Sequence, residues 1–170
     1  LGTHAAKRDH IESRFIALDE ALHVSEPLTR LECFDISHLQ GEATVASCVV
    51  FDRDGPRKAD YRRFNIEDVQ AGDDYGAMKQ ALDRRYARIK RGEAPLPDIL
   101  FIDGGKGQLR SALNSLEKLN LHNTIAVIGI AKRLEEIYFP NDSIPLYLDK
   151  RSESLKVIQQ LRNEAHRFAI

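Results

Sequence analysis

The chain has 170 residues, enough for one domain with a sizeable core, and its shares of hydrophobic (42%) and charged (30%) residues are those of a globular protein. A formal net charge of −1 does not by itself indicate a nucleic-acid-binding protein, although basic residues cluster locally. No membrane-spanning run or signal peptide is visible, and both cysteines, Cys33 and Cys48, lie in apolar segments that suit reduced core thiols, so we expect a cytoplasmic protein.

The start of the chain predicts a helix that leads in from an upstream region. Apolar side chains recur there at helical spacing, at Ile11, Phe15, Leu18 and Leu22. Pro27 then stops the pattern. Because the chain begins without Met and ends directly after a helical pattern, we expect a domain of a longer protein. We predict a helical lead-in over residues 1–27 and one α/β domain over residues 28–170.

Three antiparallel strands are predicted next, over residues 30–37, 43–52 and 57–66. The first of them carries Asp35 shortly before a turn, so this strand delivers an acid to one edge of the sheet. Asp54-Gly55 is a strong hairpin signal between the second and third strands. Together these segments predict a three-stranded antiparallel meander.

The second half of the chain alternates helical patterns with apolar strands. An amphipathic helix is predicted over residues 73–91. Its apolar stripe consists of Tyr75, Met78, Leu82, Tyr86 and Ile89. A buried strand over residues 99–102 ends on Asp103, and a second helix begins after Gly107. A continuous apolar run over residues 124–132 is typical of a central parallel strand.

The chain closes with two short strands around a Pro-Asn-Asp turn and a final helix that Ser152 caps. The element order is therefore a meander, two helix–strand units, a hairpin and a helix. We predict an α/β fold in which the antiparallel meander and the parallel strands share one mixed sheet, with helices on both faces.

The two acids at strand ends, Asp35 and Asp103, predict a metal site. Their strands can lie side by side and parallel, which brings both side chains to the carboxyl edge of the sheet, where α/β proteins usually place ligands. Two neighbouring carboxylates repel each other and stay ionised most easily with a divalent cation between them. Oxygen ligands favour Mg²⁺ or Mn²⁺ over zinc. Either acid taken alone also fits a turn or helix-cap role.

Other side chains are candidates for the same edge. His166 on the last helix can serve as a general base, a metal ligand or a phosphate contact, and a histidine that only packs on its helix is the alternative. Asp74 fits either a first-turn acid that stabilises the helix dipole or a further ligand. Weaker candidates are His38, Glu42 and Glu135 or Glu136.

Lys106 lies in the segment GGKGQ, which raises the question of nucleotide binding. The segment does not match the P-loop, because Leu100 and Gly107 occupy positions where that motif requires Gly and Ser or Thr. Backbone N–H groups near a helix start still suit one phosphate. We therefore interpret Lys106 as a contact to a nucleic-acid backbone.

Four longer segments carry a family resemblance: LECFDISHLQGEATVASCVVFDRDGPRKADYRRFNI, GDDYGAMKQAL, PDILFIDGGKGQL and IQQLRNEAHRFAI. Over about residues 28–170 they closely resemble the C-terminal endonuclease domain of the UvrC family of excinuclease proteins. The resemblance implies a ribonuclease H-like fold, in agreement with the predicted element order. It also implies a metal-dependent endonuclease that cuts damaged DNA on the 5′ side of a lesion in bacterial nucleotide excision repair.

The resemblance also implies roles for individual residues. The family's catalytic Asp-Asp-His set corresponds by motif to Asp35, Asp103 and His166, and a further acidic position associated with activity corresponds to Asp74. Typical ribonuclease H-like enzymes carry a carboxylate where this chain has the histidine. The implied partners are damaged double-stranded DNA, UvrB in the full-length protein, and UvrA indirectly. Without the family's UvrB-contacting and helix-hairpin-helix regions, this chain should bind DNA weakly.

The expected reaction is hydrolysis of a phosphodiester with Mg²⁺ or Mn²⁺ held by Asp35 and Asp103. One ion with His166 as base, or two ions about 4 Å apart, are both compatible with the sequence. Cations near the strand ends are predicted to contact phosphates: Lys106, Lys132, Arg133 and Arg162. The main alternative is a catalytically silent ribonuclease H-like module that binds DNA or a protein. The failed P-loop match disfavours a small-molecule phosphohydrolase or ATPase.

Overall fold

The computed structural model describes residues 2–39, 43–70, 72–133 and 136–170, with side chains from residue 10 onward. The elements follow in the order α1 (Gly2–Leu22), β1 (Arg30–His38), β2 (Thr44–Asp52), β3 (Gly55–Pro56), β4 (Arg62–Ile66), α2 (Asp74–Lys90), β5 (Ile99–Asp103), α3 (Lys106–Lys118), β6 (Ala126–Ile130), β7 (Glu136–Tyr138), β8 (Leu146–Tyr147) and α4 (Glu153–Ala169).

The strands form one mixed sheet in the order β3-β2-β1-β5-β6-β7-β8, and β4 also pairs with β2. The pairs β1–β5 and β5–β6 are parallel, and the pairs that involve β2 or β7 are antiparallel. The apolar runs of β5 and β6 are buried because helices cover the sheet on both sides. This arrangement confirms the predicted mixed α/β sheet, in which an antiparallel part is joined to parallel strands.

Helices pack on both faces of the sheet, as predicted. The pair α2 and α3 covers one face, and the pair α1 and α4 covers the other, with α4 lying across β1 and β2. Phe15 and Leu18 of α1 are fully buried in the same hydrophobic cluster as the sheet, so this helix completes the core beside α4. Burial of such a side chain contributes about 1.5–3 kcal/mol. The boundary between residues 27 and 28 stays a prediction.

Side chains cap the starts of α2 and α4, and the cap at Ser152 was predicted. The side chain of Asp73 accepts a hydrogen bond from the N–H of Gly76 at 3.0 Å. The Ser152 hydroxyl likewise accepts from the N–H of Leu155 at 3.2 Å. Each cap satisfies a backbone donor that the first turn of a helix leaves free, which is why these elements begin where they do.

Several predicted boundaries were wrong, either because of the local backbone conformation or because of a contact from a distant part of the chain. Helix α1 ends at Leu22 rather than at Pro27, since His23 adopts a left-handed conformation with φ of 52°. The third strand, predicted from residue 57, begins at Arg62, because Lys58–Asp60 form a 3₁₀ turn. An ion pair of 2.7 Å between Arg30 Nη1 and Asp60 Oδ2 holds that turn.

The elements next to the predicted site also differ in length from the prediction. Helix α3 begins at Lys106 rather than after Gly107, so this lysine belongs to its first turn. Strand β6 covers Ala126–Ile130 only, which leaves the basic residues that follow it in a loop. Within the described part of the chain, none of the helices has the length and apolar character needed to cross a bilayer.

Candidate active site

The parallel pairing of β1 and β5 brings the two strand-end acids together. Phe34 lies opposite Ile102 in this pairing, so Asp35 and Asp103 follow as neighbours at the carboxyl edge of the sheet. One oxygen of each carboxylate and a ring nitrogen of His166 all lie within 4.8 Å of one another. The structure therefore brings together three residues that the sequence placed on three separate elements.

The imidazole of His166 stands between the two carboxylates. Its Nε2 atom is 2.6 Å from Oδ2 of Asp103 and 3.5 Å from Oδ2 of Asp35. The side chain of His166 is 46% exposed, so solvent reaches the same ring. This position allows the ring to contact a ligand bound between the acids and also to exchange a proton with water.

Contacts that the sequence did not predict hold the end of α4 above the site. The buried hydroxyl of Ser47 on β2 donates to the carbonyl oxygen of Ala165 at 3.0 Å, next to His166. Arg63 of β4 donates to the carbonyl oxygen of Phe168 at 2.9 Å. The signal for Ser47 was available in the sequence, because a serine interrupts the otherwise apolar β2. Its role needs the tertiary structure, since Ala165 is distant in the chain.

Asp35 is a buried acid whose ionised form is poorly stabilised by the protein alone. The residue is 8% exposed, and the Ser37 hydroxyl donates to it at 3.4 Å. Burial raises the pKa of Asp35 to about 6; the neighbouring His166 lowers this pKa, and the negative charge of Asp103 raises it. A cation bound between the two acids would favour the ionised form of Asp35 and so oppose the rise in its pKa.

Asp103 has two nitrogen-bearing neighbours on α4. In addition to His166, the Nε atom of Arg162 donates to its Oδ2 atom at 3.3 Å. Arg162 was predicted as a phosphate contact, and in this structure its guanidinium lies against the candidate metal ligand. Below the two acids, burial and then the negative charges of Asp103 and Asp35 raise the pKa of Cys33, so this free thiol stays neutral.

The donor set fits a divalent cation. Two carboxylates supply the oxygen ligands that Mg²⁺ and Mn²⁺ prefer, and an imidazole nitrogen is acceptable to Mn²⁺. Asp35 is largely buried beside a second carboxylate, an arrangement in which a bound cation favours ionisation. The three side chains project from two strands and a helix that are buried in the core, so they can present their ligand atoms with little reorganisation.

The other predicted acid, Asp74, lies outside this cluster. Its Oδ1 atom is 2.7 Å from Nε2 of His38, whose Nδ1 atom is 3.1 Å from the hydroxyl of Thr44. Alternation along β1 directs His38 to the α2 face of the sheet, opposite Asp35. Asp74 and His38 therefore form a separate, exposed pair.

Among the weaker candidates that the structure describes, His38 and Glu136 lie outside the cluster of three side chains. The carboxylate of Glu136 on β7 accepts a hydrogen bond from the hydroxyl of Tyr138 at 3.3 Å. Glu42 and Glu135 lie outside the described residues. The structure thus gives no geometry for two of the acids that the sequence offered.

The predicted phosphate contacts lie at or near the same edge. The ammonium of Lys106, in the first turn of α3, is 5.3 Å from the centre of the Tyr138 ring. Lys132 and Arg133 are exposed in the loop that follows β6. Because β6 is parallel to β5, this loop lies on the carboxyl side of the sheet, as Asp103 does. These cations can contact phosphates on either side of the candidate site.

The glycines of GGKGQ allow close packing beside the site. A Cβ atom at Gly107 would collide with the ring and hydroxyl of Tyr75, and one at Gly104 would lie 2.8 Å from Cδ of Gln108. Tyr75, which the spacing placed on the apolar stripe of α2, is 59% exposed, unlike the other four residues of that stripe. Its ring lies over the start of α3, which local periodicity could not indicate.

The solved structures that resemble this chain include endonuclease V enzymes. Human endonuclease V is 12% identical, with a TM-score of 0.47, over 99% of this chain and 98% of that chain. Endonuclease V of Ciona intestinalis, in complex with DNA that contains an inosine followed by a ribo-adenosine, is 19% identical, with a TM-score of 0.46. That match covers 94% of this chain and 66% of the other.

Sequence relatives are more closely similar. UvrABC system protein C of Pseudomonas aeruginosa is 55% identical over 176 residues, which cover 100% of this chain and 29% of the relative. The protein of the same name from Christiangramia forsetii is 52% identical over 161 residues, 95% of this chain and 27% of the relative. The chain thus spans less than a third of the length of these relatives. The family model for the UvrC RNase H endonuclease domain matches residues 19–170, and the chain therefore belongs to that family.

Proposed function

We propose that this chain is a metal-dependent DNA endonuclease domain that cuts the damaged strand on the 5′ side of a lesion during nucleotide excision repair. The observation that carries the proposal is the cluster of Asp35, Asp103 and His166 at the carboxyl edge of a ribonuclease H-like sheet. Membership of the UvrC endonuclease domain family supports the choice of DNA as substrate. Relatives named for the UvrABC system support a role together with UvrB and, indirectly, UvrA.

In the proposed mechanism Asp35 and Asp103 hold Mg²⁺ or Mn²⁺, and His166 completes the site as a third ligand or as a base. A divalent cation bound there supplies Lewis-acid activation of the phosphodiester and of a water molecule. Where His166 acts as the base, it takes a proton at Nε2 from the attacking water and passes it to solvent, to which its ring is exposed. Oδ2 of Asp103, 2.6 Å from Nε2, accepts a hydrogen bond from the protonated ring and stabilises its charge.

The surrounding cations position the DNA strand and stabilise charge on the phosphate. Arg162, next to Asp103, and Lys106, at the start of α3, contact phosphate oxygens close to the cut. Lys132 and Arg133 contact the backbone further along the edge. These contacts are to phosphates, so their contribution to affinity falls with salt and is independent of sequence.

The direct test introduces Asp35→Asn and Asp103→Asn separately into the full-length protein and measures incision of a duplex with one lesion, with UvrA, UvrB and Mg²⁺. Each variant should reduce 5′ incision at least about a hundredfold, because the metal ligands are lost while side-chain shape is kept. Asp54→Asn is the matched control, since Asp54 is an exposed acid in the turn beyond the far end of β2. Undiminished incision by either site variant refutes the proposal.

A second measurement separates an enzyme from a catalytically silent binding module. Calorimetric titration of this chain with Mn²⁺ should show binding that Asp35→Asn removes and Asp54→Asn leaves intact. If DNA binding is retained while Mn²⁺ binding is independent of Asp35, the silent module is the better description.

A further inference from the structure

A cavity between α3 and the β7–β8 hairpin lies beside the candidate active site. Its volume is about 310 Å³, near the lower end of ligand pockets, which have about 300–1,000 Å³. Cations and aromatic rings share its wall: Lys106, Arg110, Tyr138 and Phe139. A cavity of this size has room for a single nucleotide-sized group.

The two cations of the cavity come from one face of α3. Lys106 and Arg110 are four residues apart, so their side chains leave the helix as neighbours. Both residues are exposed, and the Lys106 ammonium is held 5.3 Å from the centre of the Tyr138 ring. Asp142 also lines the cavity, and its carboxylate accepts a hydrogen bond from the N–H of Ile144 at 3.0 Å. The remaining positive charge suits one phosphate group.

The aromatic part of the wall suits a base. Tyr138 and Phe139 are partly exposed at the end of β7, where their rings border the cavity. Cations beside aromatic rings are the combination that binds single-stranded nucleic acids, because the rings contact base faces and the cations contact phosphates. A base inside a duplex is covered by its neighbours, so only an unstacked base can present its faces to these rings.

The position of the cavity relates it to the proposed cut. Lys106, which lines the cavity, follows Asp103 in the chain after two glycines, so one wall of the cavity lies close to this candidate metal ligand. A strand whose phosphate lies at Asp103 therefore passes the cavity within a short distance. This relation rests on the proposed function, whereas binding in the cavity does not require cutting.

We propose that this cavity binds one unstacked nucleotide of the DNA strand close to the phosphate that is cut. Lys106 and Arg110 contact its phosphate, and Tyr138 and Phe139 contact its base. The cavity thereby favours DNA that is locally opened over an intact duplex, and it sets the register of the strand in the active site.

The test measures binding without cutting, in EDTA, with short single-stranded and duplex oligonucleotides that contain the fluorescent base 2-aminopurine. The wild-type chain should change the fluorescence of the single strand. Tyr138→Leu should abolish this change and weaken single-strand binding about 5- to 150-fold, the effect of losing one base–aromatic contact. Tyr138→Phe, which keeps the ring, should retain both. Tyr147→Leu is the matched control, because Tyr147 is an exposed tyrosine of the same hairpin outside the cavity.

The cations are tested by the salt dependence of single-strand affinity. Arg110→Gln should lower the slope of log affinity against log salt by about 0.7, as expected for one lost phosphate contact on a single strand. Arg88→Gln removes the same charge from the last turn of α2 and should leave the slope unchanged. Because Arg110 is exposed, its substitution should not disturb folding, so the salt-dependence measurement can be made even if Tyr138→Leu does not fold.

Two outcomes overturn the nucleotide cavity. The first is an equal effect of Tyr138→Leu and Tyr147→Leu on the fluorescence of the single strand. The second is that Tyr138→Leu weakens duplex and single-strand binding equally, which indicates a surface that contacts phosphates only. Failure of the proposed function gives a different result. In that case Asp103→Asn would cut DNA as well as the wild type, and the 2-aminopurine response in EDTA would be unchanged.

Discussion

Strand β1 carries two buried acids whose surroundings are opposite in character. Glu32, on the α2 face, is fully buried and accepts hydrogen bonds from Nε of Arg30 and Nε of Arg85, both at 3.0 Å. The hydroxyl of Tyr86 also donates to it at 2.9 Å. The negative charge of Glu32 is therefore compensated within the protein, and this cluster ties β1 to α2.

Asp35, on the other face of the same strand, lacks such compensation. It is 8% exposed, its hydrogen bond from Ser37 is 3.4 Å long, and its neighbour across the sheet is the carboxylate of Asp103. Two acids of one strand thus differ because Glu32 contacts two guanidinium groups directly, whereas the neighbours of Asp35 are a second acid and the ring of His166. A buried acid paired with an acid indicates a ligand from outside, whereas a buried acid paired with arginines indicates a structural role.

The largest effect expected from this comparison is the loss of Glu32. Glu32→Gln leaves the Arg85 guanidinium buried without the carboxylate it contacts, so we expect the free energy of unfolding to fall by about 3–5 kcal/mol. Urea unfolding at neutral pH measures this change. Asp35→Asn on the same strand provides the contrast, because it removes an uncompensated charge. A loss below about 1 kcal/mol, the value of an exposed ion pair, would contradict the structural role of Glu32.

A smaller effect is expected in the pH dependence of stability. The pKa of Asp35 is raised to about 6 in the folded protein from an ordinary value of 3.8, so between these values the folded state binds more protons than the unfolded state. In EDTA this group therefore makes the chain less stable as pH rises through that window. Asp35→Asn should abolish this pH-dependent loss of stability. Above pH 6 its free energy of unfolding should exceed that of the wild type by on the order of 1–3 kcal/mol.

The measurement is urea unfolding of the wild type and Asp35→Asn over a pH series in EDTA, with Asp54→Asn for comparison. The difference between wild type and Asp35→Asn should grow from about pH 4 to about pH 6 and then level off. A constant difference across that range, or a difference of opposite sign, would show that Asp35 is compensated in the same way as Glu32.

The smallest effect on stability is expected at Asp74. This acid is exposed, so it contrasts with the two buried acids of β1, Glu32 and Asp35. Asp74→Asn breaks the 2.7 Å pair with His38. The side chains of Asp74 and His38 are both about two-fifths exposed, so the free energy of unfolding should change by less than about 1 kcal/mol. If the pair supports the active site from the other face, incision should fall about 10- to 100-fold. His38→Asn should then give a similar reduction. Full incision by Asp74→Asn would leave it as a first-turn acid of α2.

The sequence by itself determined the class of fold and the edge of the sheet where the candidate site lies. Apolar runs and alternation predicted the mixed sheet, and the acids at the ends of β1 and β5 indicated the edge where the candidate site lies. Long family motifs then singled out His166 on α4, which spacing alone left open between a helix histidine and a site residue. The catalytic roles of these residues stay predictions until the variants are measured.

Only the tertiary structure decided which polar residues meet. Nothing local to β2 shows that Ser47 holds the end of α4, and nothing local to α2 shows that Tyr75 lies on Gly107 or that Asp74 pairs with His38. Periodicity reports which face of an element is apolar, whereas a side chain's partner depends on elements distant in the chain. For the same reason the sequence alone showed two acids on β1, and the packing of α2 and α4 against opposite faces gave them different roles.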